Sequence, residues 1–338
     1  MRVAVYYNNN DIKLEEMGKP QPGPGELLIR IMASGICGSD VMEWYRTRKA
    51  PLVLGHEISG EIAESGTDGF SEGQRVVATH HVPCDECRYC LSGNETCCDL
   101  LHNTNYHPGG FSEYVRIPRI NVEKGVLPLP DGVSHDEGTF VEPLGCVVRG
   151  QRKAGIGKGQ TVLVIGSGLS GLLHVQLAKS KGCRVMATDV NPFRLAMAKR
   201  LGVDRAIDGT GDVQEKVREF NDGRLADRVV LCTAALPAVR QALQAVDKGG
   251  TVLFFAMFDP KSEVSLPLFG TLSKGATLTT SYAAVKKDLI EALDMIKNRK
   301  INVKDMITHR LPLAETGRGF RLAAGAGDSM KVIIEPWR

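Results

Sequence analysis

The sequence predicts an α/β protein in two parts: a β-rich, irregular, barrel-like first part and a doubly wound parallel sheet behind it. Three observations predict this. Short strands broken by Gly and Pro fill the chain up to Val141. From Gln160 onward, wholly apolar strands alternate with helical patterns. A glycine-rich run, Gly166-Ser167-Gly168-Leu169-Ser170-Gly171, stands where the first of those strands passes into the first of those helices.

In the first part the strand candidates are 2–7, 26–33, 57–64, 74–78 and 111–117, separated by turn-forming runs such as 20–25. Short strands punctuated this way suit an irregular barrel. In the second part, 161–165 is an unbroken apolar strand, and 170–181 reads as a helix with apolar positions at Leu172, Leu173, Val175 and Leu177. The next strand is 184–189 and the next helix 193–201, with further strands at 227–232 and 250–255. Strands apolar on both faces, alternating with helices, imply a parallel sheet covered on both sides. The tail carries an amphipathic helix at 289–297 and a closing strand at 331–335. Periodicity does not say which part the tail joins.

Bulk properties narrow the function. A chain of 338 residues suits two domains. With 43% hydrophobic and 24% charged residues it is a folded globular protein and not a disordered one. A net charge of +3 without a dense basic stripe gives no reason to invoke nucleic acid or an anionic membrane. Residues 1–18 hold no apolar targeting core, and the apolar runs are strand length, so a cytoplasmic protein without membrane spans is expected. Five of the nine cysteines crowd into 84–98, which in such a compartment points to metal and not to disulfides.

The glycine run is G-x-G-x-x-G, weak alone but here placed between strand and helix, with Asp189 ending the next strand. That is the context a dinucleotide fingerprint requires. Gly166 permits the tight turn, Gly168 lets the backbone approach a pyrophosphate, and Gly171 lets helix and strand pack closely. Leu169 and Ser170 open the helix, whose free N–H groups suit phosphate. Asp189 can bind both ribose hydroxyls and would repel a 2′-phosphate, so NAD is expected over NADP. Arg194 lies one turn on and can flank the adenosine; the alternative is a solvated helix residue.

Cys84-x2-Cys87-x2-Cys90-x7-Cys98 places four thiols in one loop, the donor set of a closed, structural zinc site. Cys97 is adjacent, and spacing alone leaves its role open. A second set is dispersed: Cys37 in Gly35-Ile36-Cys37-Gly38-Ser39-Asp40, His56 and Glu57 in Gly55-His56-Glu57, and Glu142 in Val141-Glu142-Pro143-Leu144. None of these pieces is diagnostic singly.

Together with Gly109-Gly110-Phe111-Ser112-Glu113-Tyr114, these motifs resemble the zinc-containing medium-chain dehydrogenase/reductase family, in its sorbitol and threonine dehydrogenase branch, over essentially the whole chain. The resemblance implies a GroES-like catalytic domain at 1–145 with a zinc lobe near 84–98, a Rossmann domain at 146–284, and a tail, 285–338, that returns to the catalytic domain. It also implies two zinc ions and NAD, a small-molecule alcohol as partner, and a homodimer or homotetramer. By position, Cys37, His56 and Glu57 become ligands of a catalytic zinc. Glu142 matches a residue that binds zinc directly or through water, with Cys146 as its rival.

A mixed sulfur, nitrogen and oxygen site with one exchangeable position suits an ion that lowers an alcohol's pKa while nicotinamide takes the hydride. Ser39 matches the first group of the relatives' proton relay. Met42 stands where many relatives have the histidine that passes the proton outward, so the outer path has no assigned residue. His80 and His81 are read as satisfied structural groups, and Arg46, Arg48 and Lys49 as a solvated loop. Trp44 and Tyr45 either wall the pocket or pack beneath that loop. The expected reaction is oxidation of a secondary alcohol in a polyol, diol or hydroxy amino acid to a ketone. The alternatives are a dehydrogenase of anionic or phosphorylated alcohols, and a non-catalytic NAD-binding structural protein on the same fold.

Overall fold

The computed structural model describes residues 1–325 and 327–338. The chain divides into two units. The first holds Met1–Gly145, Ala283–Arg299 and Val303–Arg338; the second holds Cys146–Tyr282 and Lys300–Asn302. The tail leaves the second unit at Ala283, two residues before the expected 285. Lys300–Asn302 group with the second unit, where the Gln176 side chain brackets Asn302, donating to its carbonyl at 3.2 Å and accepting from its N–H at 2.7 Å.

The first unit is built on a seven-stranded sheet. Its central pair, Leu27–Gly35 and Glu57–Ser65, runs antiparallel with Gly35 opposite Glu57. Arg75–Ala78 and Val126–Pro128 extend the sheet on one side, and Tyr114–Ile117 also pairs with Leu27–Gly35. On the other side the closing strand Lys331–Glu335 pairs antiparallel with Leu27–Gly35, placing Ile333 opposite Gly35, and Ile307–Pro312 lies parallel outside it. A three-stranded sheet of Asp11–Glu16, Arg2–Asn8 and Leu52–Val53 completes the unit. Leu27, Ile29, Ile31, Ile58, Ile62 and Val76 fill the core between strands. Fully burying a side chain of that kind contributes about 1.5–3 kcal/mol.

The second unit is a six-stranded parallel sheet. Thr161–Ile165, buried at every position, lies between Arg184–Asp189 and Ala226–Leu231, with Val162 level with Val185 and Leu163 with Val229. The chain first winds outward to Arg205–Asp208, then crosses back and winds the other way through Val246–Phe254 to Thr277–Thr280. The order therefore reverses beside Thr161–Ile165, and ligands of such sheets bind outside the carboxyl ends at that point. The helix Leu169–Ser180 is buried from Gly171 through Ala178, which is why its apolar residues are not confined to one stripe.

Most expected elements shift only at their ends. Helix 170–181 is Leu169–Ser180, and strand 111–117 shrinks to Tyr114–Ile117. Short, half-exposed strands such as Arg205–Asp208 and Thr277–Thr280 carried too little apolar signal to be read. Among the described residues no helix is long and apolar enough to cross a membrane.

Candidate active site

The pairing of Gly35 with Glu57 decides the geometry. Cys37 follows one strand by two residues and His56 precedes the other by one, so antiparallel register brings both to the same sheet end. Donor atoms of Cys37, His56 and Glu57 lie within 4.8 Å of one another. Sulfur, imidazole and carboxylate form an open three-donor set for zinc, with a fourth position left for an exchangeable oxygen.

Two further observations fit the ion. Glu57 Oε2 pairs with the ammonium of Lys331, while Glu57 Oε1 is buried without a hydrogen-bond partner. Asp40 Oδ1 lies 3.3 Å from His56 Nδ1, which leaves the other ring nitrogen for the metal. Asp40 is fully buried, and burial alone would raise its carboxyl. The charges of His56 and Arg46, with the N–H of Cys37 donating to Oδ2 at 3.1 Å, outweigh that and hold it below the usual range.

Ser39 sits beside Cys37, its Oγ 3.4 Å from Cys37 Sγ. Glu142 does not join the three-donor group; it stands in the first turn of helix Val141–Lys153, half-buried. Tyr106 reports its place. Burial first, then the charges of Glu142, Asp40 and Glu57, raise the Tyr106 hydroxyl well above its ordinary value, so these groups face a common region. The Tyr106 hydroxyl is itself buried without a partner. Cys146 also stays outside the group.

The histidine expectation divides. His81 Nδ1 lies 3.3 Å from the Thr104 carbonyl, and burial, then the charge of His56, lowers it to about 4. His80 is different. Its ring packs 4.7 Å from that of His56, burial holds it neutral, and its Nδ1 has no partner, so it is not a satisfied core group. The expectation for Arg46 fails. It is 13% exposed and bonded to Ser39 and Asp40, whereas Arg48 and Lys49 are exposed. The reason is local: buried Asp40 needs a cation, and helix Glu43–Arg46 carries Arg46 back to it.

The four-cysteine loop forms a second donor group, Cys84, Cys87, Cys90 and Cys98. A tetrahedral zinc with sulfur at about 2.3 Å sets sulfur–sulfur edges of about 3.8 Å. The sulfurs stand 3.8 Å apart for Cys84–Cys90 and 3.5 Å for both Cys87–Cys90 and Cys84–Cys98. Backbone N–H groups of Cys84 and Cys87 point at sulfur from 3.4 and 3.2 Å. Cys97 is exposed and outside the group.

In the second unit, Gly166 turns the chain at φ 93°. A Cβ on Gly171 would run into the Gly166 carbonyl, so only glycine lets the helix start this close to the strand. Asp189 Oδ2 accepts from the Ser167 N–H at 2.7 Å and Oδ1 from the Asn191 N–H at 2.9 Å. Each oxygen keeps a lone pair for a ribose hydroxyl. Arg194 Nη1 stands 3.9 Å from Asp189 and borders Gly168, beside the cradle.

The family profiles described as alcohol dehydrogenase GroES-like domain and zinc-binding dehydrogenase match residues 23–131 and 171–298. A sorbitol dehydrogenase of Halalkalibacterium halodurans is 33% identical, covering 99% of this chain and 98% of its own. The chain belongs to the zinc-containing medium-chain dehydrogenase/reductase family. The L-galactonate-5-dehydrogenase of Escherichia coli is 32% identical over 93% of this chain and 92% of its own. Among solved structures, a zinc-binding dehydrogenase of Sinorhizobium meliloti bound to NADP superposes with a TM-score of 0.88, at 26% identity and 99% coverage of both chains. This family member is thus an oxidoreductase of CH–OH groups, with zinc and a nicotinamide dinucleotide as its cofactors.

Proposed function

We propose that the chain is a cytoplasmic, zinc-dependent dehydrogenase that uses NAD to oxidise a secondary alcohol of a polyol, diol or hydroxy amino acid to a ketone. The convergence of Cys37, His56 and Glu57 carries this reading. Zinc held there would supply the Lewis acidity that lowers a hydroxyl pKa, and the dinucleotide would take the hydride. The chain's own residues do the rest. Asp40 fixes the His56 ring, Lys331 balances the charge of Glu57, and Ser39 relays the proton that leaves the substrate hydroxyl, taking it on Oγ while its own hydroxyl proton passes on to water. Glu142, outside the three-donor group, is assigned to the metal through water. Asp189 supports NAD over NADP, because a 2′-phosphate there would meet its charge. A thiol-rich zinc lobe suits a reducing compartment.

A second reading is oxidation of an anionic alcohol. The similarity to an L-galactonate dehydrogenase favours it, and exposed Arg48 and Lys49 are the residues it would use.

The quaternary proposal is a homo-oligomer. Thr277–Thr280 ends the order of the parallel sheet, and Leu268, Phe269 and Leu272 on the preceding helix are 73%, 83% and 79% exposed. A second copy of the same strand and helix supplies the matching surface under two-fold symmetry.

The test combines zinc analysis with a screen of neutral polyols, diols, hydroxy amino acids and sugar acids, reading reduction of NAD and NADP. Two zinc ions per chain and faster turnover with NAD are expected. One tightly held ion, with no alcohol oxidised, would sink the catalytic reading.

A further inference from the structure

Arg46 binds both ends of Ser39. Its Nε donates to the Ser39 carbonyl at 3.0 Å, and its Nη2 donates to Ser39 Oγ at 3.1 Å and to Asp40 Oδ1 at 3.3 Å. Its guanidinium lies over the Tyr45 ring, 4.6 Å from the centroid. One planar group thus ties the backbone and side chain of a single residue, which a flexible ammonium does poorly.

A serine hydroxyl has one hydrogen and two acceptor lone pairs. Arg46 takes one lone pair, so the hydrogen must point away from the guanidinium. Cys37 Sγ lies 3.4 Å from Ser39 Oγ and can take that hydrogen. The second lone pair is left for an incoming O–H. Unrestrained, the side chain would share its time among staggered rotamers. Arginine cannot accept a proton, so Arg46 does not replace the histidine that Met42 displaces. Asp40 already balances its charge, which argues against a receptor for anionic substrates.

We propose that Arg46 is a positioning residue for alcohol oxidation, holding Ser39 in the rotamer that turns its free lone pair toward the substrate hydroxyl. The proposal rests on the reading of Cys37, His56 and Glu57 given above.

The experiment uses zinc-loaded, full-length enzyme and a neutral alcohol that the wild type oxidises. Arg46→Met, Arg46→Lys, Ser39→Ala and Ser39→Ala/Arg46→Met are compared. Arg46→Met is expected to lower kcat roughly 10- to 100-fold with little change in KM. Arg46→Lys should recover part of that loss. In the double variant the Arg46 change should cost nothing beyond Ser39→Ala, because it acts through that side chain. A crystal structure of Arg46→Met should show Ser39 in more than one rotamer, with zinc content unchanged. Losses that multiply in the double variant, a loss confined to KM, or a single unchanged Ser39 rotamer would overturn the proposal. If Arg46→Met does not fold, Arg46→Lys in the two Ser39 backgrounds gives the same comparison. A wild type that oxidises no alcohol removes the catalytic reading itself, and the Ser39 rotamer still decides the clamp.

Discussion

Lys331 pairs its ammonium with the carboxylate of Glu57 across 274 residues of sequence, and both side chains are wholly buried. The ammonium also lies 5.1 Å from the centroid of the Phe140 ring. Removing one partner of a buried pair leaves the other charge uncompensated, at a cost of about 3–5 kcal/mol. Lys331→Met should therefore lower stability by that order in denaturant titrations of the zinc-free protein. Added zinc should restore part of it, since the cation supplies the missing positive charge beside Glu57. Equal losses with and without zinc would show that Glu57 does not face the metal.

Asp189 gives a cofactor prediction. Asp189→Ser removes the charge that would face the ribose while keeping a hydroxyl. The ratio of kcat/KM for NAD over NADP should fall on the order of tenfold, the equivalent of about 1.4 kcal/mol. Steady-state kinetics with both dinucleotides checks this. An unchanged ratio would mean that another group sets the preference.

His174 should make the protein sensitive to acid. It is fully buried in helix Leu169–Ser180, and burial, then the charge of Lys181, lowers it from 6.5 to about 3. The unfolded chain binds this proton below pH 6.5 and the folded chain does not. Its contribution is therefore complete above pH 6.5 and is lost progressively as pH falls toward about 3. At pH 5 the loss is about 2 kcal/mol. Urea titrations at pH 7.5 and pH 5 should show a drop smaller by about that amount in His174→Gln than in the wild type. An identical drop in both would rule out His174 as the source.

The exposed helix face predicts assembly. Phe269→Glu places a charge among the exposed apolar side chains of Leu268, Phe269 and Leu272. Sedimentation should find a homo-oligomer for the wild type and a smaller species for the variant. A monomeric wild type, or a variant of unchanged mass, would count against a second copy as the occupant.

Local pattern carried the chemistry that sits close in sequence. Cys84, Cys87, Cys90 and Cys98 share one loop, and Gly166, Gly168 and Gly171 share one turn with the strand before them and the helix after. Spacing alone defines such sites, because the backbone between the donors is short. Apolar periodicity likewise marked Thr161–Ile165 and Leu169–Ser180, while the thinly apolar edge strands escaped it. Cys37, His56 and Glu57 were legible only through a resemblance, since the pairing of Gly35 with Glu57 is what brings them together.

The sequence by itself determined the two-part α/β plan, the cysteine lobe and the dinucleotide turn, because each follows from interactions among near neighbours. Tertiary structure alone decided that Lys331 neutralises Glu57, that Arg46 clamps Ser39 instead of facing solvent, and that His80 is buried with an unpaired nitrogen. The physical reason is the same in each case. A charge or polar group in a core must find its partner wherever the fold supplies one, and sheet register sets that position, not distance along the chain.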